Sequence, residues 1–302
     1  MVAVVVTFDR LDMLRRQLDR LHEVVAGGEL HEVLVVDNAS SDGTGAWLRE
    51  QAATHPHLHA TTLAVNSGGA GGFNHGLAWA VDHGADLVWL MDDDGLPEPD
   101  CLTLLLQRDD LDFWGPAVVA AQEPSRLCFP IRLPGGTRVV HDLASVEAAA
   151  VDGLIRDVVI PFNGVLVTRE LVARIGYPLA AYFIWGDDVE YLWRAQQAGA
   201  RIATVVDARV LHPATDDLGT PMMGGRTTYN HSPSDLKHYC MARNNTVNLR
   251  RYRGWPHVLM FWVKTLWFYT LTKPTRGRLR TSARAAWAGL RGDFTGHRRY
   301  LR

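Results

Sequence analysis

The chain has 302 residues, of which 47% are hydrophobic and 21% are charged. This balance is typical of a globular protein and excludes collagen-like, fibrous and wholly disordered classes. The three cysteines, Cys101, Cys128 and Cys240, lie far apart and form no CxxC pair. Neither a disulfide framework nor a cysteine zinc site is therefore expected.

The net charge of −2 averages two different parts of the chain. Residues 1–236 contain 16 basic and 32 acidic residues, whereas residues 237–302 contain 15 basic residues and one acid, Asp293. The basic C-terminal part predicts contact with an anionic surface or partner. It carries no nucleic-acid recognition motif, so we do not expect a nucleic-acid partner.

Strand and helix patterns alternate over the first hundred residues. The apolar run 1–7 is too short for a signal peptide and has no basic flank, so we predict a first strand over 2–7. The other predicted strands are 32–36, 61–65 and 87–91, with helices over 11–25 and through Leu77. Such alternation predicts a mostly parallel, Rossmann-like α/β sheet flanked by helices.

The later pattern is looser and ends in a helical tail. We predict a strand over 165–168, a helix ending near Ala198, closing strands over 201–206 and 208–211, and a mobile loop over 213–235. The predicted domains are a catalytic domain over 1–215 and, over 216–302, a mobile loop followed by a basic amphipathic helical extension.

Polar clusters follow successive strands, where ligands of parallel sheets gather. They are Thr7, Asp37, the glycine-rich stretch that begins at Asn66, and the triplet 92–94. Three adjacent carboxylates repel one another, and a divalent cation offsets that repulsion. In extended backbone Asp92 and Asp94 face the same side, which predicts a Mg²⁺ or Mn²⁺ site, the alternative being a solvated acidic turn.

A second acidic cluster, Asp187-Asp188, follows aromatic residues. One interpretation is that these acids cap a helix. The other is that an aromatic-walled pocket raises the pKa of one carboxylate toward that of a working base. The wall, or a platform for a sugar ring, would come from Phe183 and Trp185. His212, at a strand end, is either structural or a metal ligand that would favour manganese.

These residues together resemble the family 2 inverting glycosyltransferases of GT-A fold, and most closely the galactofuranosyltransferases that build mycobacterial galactan. The segments that carry the resemblance are 4–7 (VVVT), 36–44 (VDNASSDGT), 66–73 (NSGGAGGF), 92–94 (DDD) and 185–190 (WGDDVE). One departure is Gly186, because the galactan-extending enzymes have tryptophan before the acid pair.

The resemblance implies roles for matching positions. The nucleotide-sugar contacts it implies are Thr7 and Asp37 on uracil, and Asp93 with Asn66, Gly68 and Gly69 on the ribose and diphosphate. The metal ligands it implies, for Mn²⁺ or Mg²⁺, are Asp92, Asp94 and His212. It also implies that Asp188 is the catalytic base and that Asp187 binds acceptor or donor sugar, with acceptor contacts from Trp185 and Phe183.

The predicted activity is metal-dependent, inverting transfer of galactofuranose from a UDP donor to a polyprenyl-linked glycan acceptor in cell-wall or surface polysaccharide synthesis. A rhamnosyltransferase that uses a dTDP donor is the nearest alternative, and a nucleotidyltransferase is a more distant one. A dinucleotide-binding oxidoreductase is disfavoured because the glycines follow the third strand and lack GxGxxG spacing.

Residues 255–272 form an apolar segment with one charge, Lys264. Its length approaches that of a membrane span, but Pro256 and Lys264 weaken that interpretation, and flanking arginines favour a helix on an anionic lipid surface. A buried core helix or a dimer contact, and so a homo-oligomer, are the alternatives. We therefore predict peripheral association with the cytoplasmic face of a membrane.

Overall fold

The chain forms two compact units. The computed structural model describes residues 1–136, 138–214 and 219–301. The first unit comprises Met1–Ala180 and Tyr191–Ala214, and the second comprises Ala181–Glu190 and Thr215–Arg302. The predicted boundary after residue 215 lies next to this division, but residues 181–190 group with the second unit. Of the predicted mobile loop, residues 215–218 lie outside the described residues.

The first unit is built on a mixed sheet flanked by helices. Its strands are β1 (Val2–Thr7), β2 (Glu32–Asp37), β3 (Leu58–Thr62), β4 (Leu87–Asp92), β5 (Leu96–Pro97), β6 (Phe113–Ala120), β7 (Glu123–Arg132), β8 (Val139–Asp142), β9 (Leu154–Arg156), β10 (Asn163–Thr168) and β11 (Ile202–His212). Its helices are α1 (Leu11–Ala26), α2 (Thr44–Thr54), α3 (Gly68–Asp82), α4 (Cys101–Leu106), α5 (Leu143–Ala149), α6 (Arg169–Ile175) and α7 (Asp187–Gln197), the last of which starts in the second unit.

The strand order is β3-β2-β1-β4-β10-β6-β11-β5. Strands β1 to β4 pair in parallel, β10 runs antiparallel to both β4 and β6, and β11 is parallel to β6. The predicted α/β class is confirmed, with the parallel arrangement concentrated in the first four strands. Because β1, β2 and β4 are parallel, their carboxyl ends meet at one edge of the sheet.

Strand β1 is buried on both faces and joins two hydrophobic clusters, one on each side of the sheet. On one side, the glycine-rich stretch is part of helix α3, which begins at Gly68 and not at a later residue as the sequence suggested. A methyl group on Gly72 would lie 2.4 Å from Val6, and one on Gly76 would lie 2.3 Å from Val4. These glycines let the helix lie directly on the sheet, which compensates for their poor helix propensity.

Two other expectations differ in detail. The third strand covers Leu58–Thr62 where the pattern suggested 61–65. The two predicted closing strands are one continuous strand, β11, whose pairing with β6 shifts register between Val205 and Arg209. The interrupted hydrophobic pattern there reflects that irregularity.

The second unit is mainly helical. Its elements are the hairpin strands β12 (Thr220–Met222) and β13 (Thr227–Tyr229), the helices α8 (Asp235–Tyr252), α9 (Trp255–Trp267) and α10 (Arg276–Leu290), and a π-helical segment over Phe268–Thr272. The hairpin occupies part of the predicted loop. Among the described residues, no helix combines the length and apolarity needed to cross a membrane.

Helix α8 is unusual because many of its buried side chains are polar. Its fully buried side chains include His238, Arg243, Asn244, Thr246 and Asn248. Buried polar groups need hydrogen-bond partners, so these side chains must be matched by polar groups of their surroundings.

Candidate functional site

The acidic turn after β4 is held by helix α1. Gln17 is buried and its Nε2 donates to the carbonyl oxygens of Asp92 at 2.6 Å and Gly95 at 2.8 Å. These two bonds fix the backbone on both sides of Asp93 and Asp94. Gln17 was not predicted, although a polar residue on the apolar face of α1 is a usable signal.

Asp93 lies against β1. Its Oδ2 accepts from the Thr7 hydroxyl at 2.7 Å, and its Oδ1 accepts from Arg10 Nη1 at 3.0 Å. The same Arg10 nitrogen lies 2.5 Å from Asp94 Oδ2. Thr7 and Asp93, predicted to share the nucleotide site, are therefore in contact, and a guanidinium that the sequence analysis missed bridges two of the three acids.

The three carboxyl groups have different electrostatic environments. Burial, followed by the charges of Asp94 and Asp93, raises the pKa of Asp92 well above its ordinary value. Burial also raises the pKa of Asp93, although Arg10 and Thr7 oppose this. For Asp94 the contacts with His212 and Arg10 outweigh burial and lower the pKa. Asp94 is thus the member of the triplet that stays ionised most readily.

His212 ends β11 and faces Asp94. Its Nε2 lies 3.2 Å from Asp94 Oδ1, and its Nδ1 lies 2.8 Å from the Pro213 carbonyl oxygen and 3.3 Å from Cys128 Sγ. Burial alone would lower the pKa of His212, but Asp94 and Cys128 raise it to about 10. The Pro213 carbonyl fixes the ring so that Nε2 points at the acids, as metal-binding histidines are commonly oriented.

The fit of a divalent metal rests on this pair. Among the residues that the structure describes, no three His, Cys, Asp or Glu side chains are gathered as a ready ligand set. Asp94 Oδ1 is nevertheless buried and lies 3.2 Å from the imidazole Nε2 of His212. A carboxylate oxygen and an imidazole nitrogen suit Mn²⁺, so these donors fit such an ion.

At the end of β2, Asp37 and Asn38 form the other side of this edge. Asp37 pairs in register with Thr7 and accepts from the Ser40 amide at 2.9 Å, while its buried Oδ2 has no hydrogen-bond partner. Asn38 accepts from the Ser67 amide and donates to the Gly68 carbonyl, which ties the start of α3 to β2. Asn38 lies in the segment 36–44 that carries the family resemblance.

The glycine segment has mixed roles. Asn66 Oδ1 accepts from the Gly68 amide at 2.8 Å, so Asn66 shapes the turn that opens α3. A methyl group on Gly69 would meet no atom within 4 Å, so this glycine borders open space.

In the second unit, residues 182–186, here called the acid-pair loop, precede Asp187-Asp188. Phe183, Trp185 and Gly186 have φ of 67°, 65° and 88°, the left-handed region that side chains disfavour. A methyl group on Gly186 would lie 3.2 Å from Asn244 Cβ, which explains why glycine stands before the acid pair. Phe183 is buried and stacks on His297 at 4.5 Å, so its ring face is occupied by His297 rather than open to a sugar.

The acid pair opens helix α7, and its surroundings raise the pKa values of both carboxyl groups. Burial and then the charge of Asp188 raise the pKa of Asp187 to about 8, and burial raises the pKa of Asp188 despite its hydrogen bonds with backbone amides. Glu190 is fully buried and accepts from the Tyr252 hydroxyl at 2.5 Å. This hydrogen bond ties the first turn of α7 to α8. It is additional to any capping of α7 by its acidic residues.

The comparisons with known proteins agree with this organisation. Residues 2–126 match the model of "Glycosyl transferase family 2". The chain is 34% identical over 279 residues to a galactofuranosyltransferase, GlfT1, of Mycobacterium tuberculosis, a match that covers 90% of this chain and 89% of that protein. It is 29% identical over 297 residues to GlfT1 of Mycolicibacterium smegmatis, with 97% of each chain covered.

Among solved structures, the fold is similar to that of the mannosyltransferase PcManGT of Pyrobaculum calidifontis, solved in complex with GDP-Man and Mn²⁺. The TM-score is 0.53 at 21% identity, and the match covers 96% of this chain and 74% of that one. This likeness concerns the fold.

Proposed function

This chain belongs to glycosyltransferase family 2, and we propose that it transfers galactofuranose from UDP-galactofuranose to a hydroxyl group of a polyprenyl-linked glycan acceptor. Glycosyl transfer in cell-wall synthesis is the role supported by its near full-length similarity to galactofuranosyltransferases. The donor sugar and the acceptor are the finer parts of the proposal.

One observation carries the assignment of the donor site. In the first unit, the buried Asp37 Oδ2 at the carboxyl end of β2 has no hydrogen-bond partner, and the buried Asp94 Oδ1, just beyond β4, lies 3.2 Å from the His212 imidazole. A buried acceptor without a donor is costly, by about 1–3 kcal/mol, unless a ligand satisfies it. The N3–H group of a uracil ring would satisfy Asp37 Oδ2, and Asp94 with His212 would hold a cation on the diphosphate.

The proposed reaction is a single in-line displacement that inverts the anomeric carbon. The acceptor oxygen forms a bond to that carbon while the bond to the diphosphate oxygen breaks, and UDP leaves with the electron pair. Asp188 accepts the proton of the acceptor hydroxyl, and its raised pKa suits a group that must hold this proton. Thr7 and Asp93 orient the nucleoside side of the donor.

We propose Mn²⁺ or Mg²⁺ as the cofactor, held by Asp94 and His212, with Asp92 as the third ligand. The chemistry that such an ion supplies when bound is neutralisation of the leaving diphosphate. Arg10 already places positive charge between Asp93 and Asp94 and so limits repulsion among the acids.

A donor competition test separates this proposal from its nearest alternative. Uracil and thymine both present N3–H, so Asp37 does not distinguish them, and dTDP-rhamnose remains the competing donor. We expect UDP to inhibit transfer far more strongly than dTDP, and UDP-galactofuranose to be consumed in the presence of Mn²⁺. Preferential inhibition by dTDP would favour rhamnosyl transfer, and release of pyrophosphate would indicate a nucleotidyltransferase.

We also propose peripheral membrane association through α9. Most of this helix is exposed, with only Val258 and Thr265 buried, which is not the pattern of the core helix considered above. Its exposed apolar side chains, 40–58% accessible, are Trp255, Leu259, Met260, Val263, Leu266 and Trp267. They lie on one face, and a chain segment rich in arginine and lysine surrounds them, which supports an anionic lipid surface as the partner.

The double variant Leu259→Glu/Val263→Glu should weaken binding to vesicles of phosphatidylglycerol and phosphatidylcholine by at least about tenfold, because two apolar side chains leave the lipid. Co-sedimentation measures this. Val151→Glu, which changes an exposed valine of the first unit, is the control. Equal vesicle binding by all three proteins would exclude this face as the lipid contact.

A further inference from the structure

Two asparagines of α8 hold the acid-pair loop. Asn244 Nδ2 lies 2.6–3.1 Å from three carbonyl oxygens of the segment 182–185, and Asn248 Nδ2 donates to the Gly186 carbonyl at 2.7 Å. The two residues are four positions apart on one helix and therefore share a face. Both side chains are fully buried, so their hydrogen-bonding capacity is directed at this loop instead of water.

The loop needs such support because its backbone is strained. Phe183 and Trp185 both adopt positive φ, and the Ile184 amide donates to the Tyr182 carbonyl in a tight three-residue turn around Phe183. Conformations of this kind persist only where the surroundings hold them, and they gather at functional sites. This loop is held by the side-chain amides of Asn244 and Asn248, together with Arg243, which donates to the Tyr182 carbonyl at 2.7 Å.

Neighbouring residues orient the two amides. Arg243 Nε donates to Asn244 Oδ1 at 2.9 Å, which turns the Asn244 amino group toward the loop. The Tyr182 hydroxyl donates to Asn248 Oδ1 at 2.7 Å, which does the same for Asn248. Each side-chain amide therefore makes hydrogen bonds through both its oxygen and its nitrogen.

The loop is coupled directly to the acid pair. The Gly186 carbonyl that accepts from Asn248 also accepts from the Glu190 amide at 3.0 Å, in the first turn of α7. The Gly186 amide donates to Asp188 Oδ1 at 3.2 Å. A shift of the loop would therefore move the Asp188 carboxylate.

We infer that Asn244 and Asn248 are positioning residues for glycosyl transfer, whose side-chain amides fix the acid-pair loop and with it the Asp188 carboxylate. The inference rests on the proposed function, in which Asp188 is the base. It gives part of the C-terminal extension a role in catalysis. This role does not require Asn244 or Asn248 to touch a substrate.

Asn244→Ala and Asn248→Ala test this role in the full-length protein. Each should lower kcat by about 10²-fold, because small displacements of a catalytic group have effects of that size, and leave the KM for the donor within about twofold. The matched control is Thr246→Val on the same helix, which removes a buried hydroxyl that bonds to Trp262 and the Ala242 carbonyl. Thermal unfolding of all variants measures the loss of stability that removing a buried hydrogen-bonding group causes in each of them.

A kcat loss in both asparagine variants that exceeds the loss in Thr246→Val at equal thermal stability would support positioning. Equal kcat values for a folded asparagine variant and Thr246→Val would overturn it. Asp188→Asn, assayed in parallel, separates the two proposals. If Asp188→Asn retains turnover, the assignment of the base fails; if it is inactive while the asparagine variants match the control, only the positioning role fails.

Discussion

Asp188→Asn should reduce the rate of transfer by about 10²–10⁴-fold, the range that general-base catalysis contributes, while donor binding stays near that of the parent. The amide is nearly the size of the carboxyl group but cannot accept the proton of the acceptor hydroxyl. Steady-state kinetics and UDP binding measure the two quantities separately. Weak UDP binding by a folded Asp188→Asn protein would contradict the role of base.

A capping role for Asp188 makes a different prediction. Asp235 is also in the first turn of a helix of the second unit, so Asp235→Asn is the matched control for loss of a first-turn acid. We expect Asp235→Asn to keep nearly full turnover. The acid pair also predicts a pH profile: since burial raises both pKa values, the rate should fall on acidification at a pH above the usual carboxyl range, as the pair takes up a proton.

Asp94→Ala should weaken Mn²⁺-dependent binding of UDP by at least about 10- to 100-fold, because it removes the buried oxygen that faces His212. Calorimetric titration of UDP with and without Mn²⁺ measures the effect. The variant also removes the partner of Arg10 and His212, so circular dichroism must show that it is folded. Unlike Asp188→Asn, this variant should lose donor binding together with turnover.

Asp100→Ala is the control for Asp94→Ala. Asp100 is an exposed acid that precedes α4, and its side chain makes no cap hydrogen bond. We expect it to bind UDP as the parent does. An equal affinity of the Asp94→Ala and parent proteins for UDP with Mn²⁺ would remove Asp94 from the metal site.

Much of the first unit could be predicted from the sequence because its signals are local. Apolar β-branched runs marked β1, β2 and β4, and the polar residues that follow them come together at one edge through parallel pairing. The contact between Thr7 and Asp93, 86 positions apart, follows from that topology. The start of α3 at Gly68 was not predicted, because helix–sheet contact and not helix propensity makes the glycine-rich stretch helical.

The site residues that could not be predicted from the sequence contact residues that are distant along the chain. Arg10 and Gln17 lie more than 70 positions from the acids that they contact. Asn244 and Asn248 lie in the segment predicted as a basic amphipathic helical extension, yet they are buried against a loop about 60 positions away. No periodicity in one sequence reports such a match between a polar helix face and a strained loop.

Diffraction from crystals grown with UDP and Mn²⁺, recorded at the manganese absorption edge, tests the central claim most directly. We predict an anomalous peak within bonding distance of Asp94 Oδ1 and His212 Nε2, with the uracil ring against Asp37. A nucleotide bound without manganese beside Asp94 and His212, or a manganese ion held elsewhere in the chain, would contradict the proposed donor site.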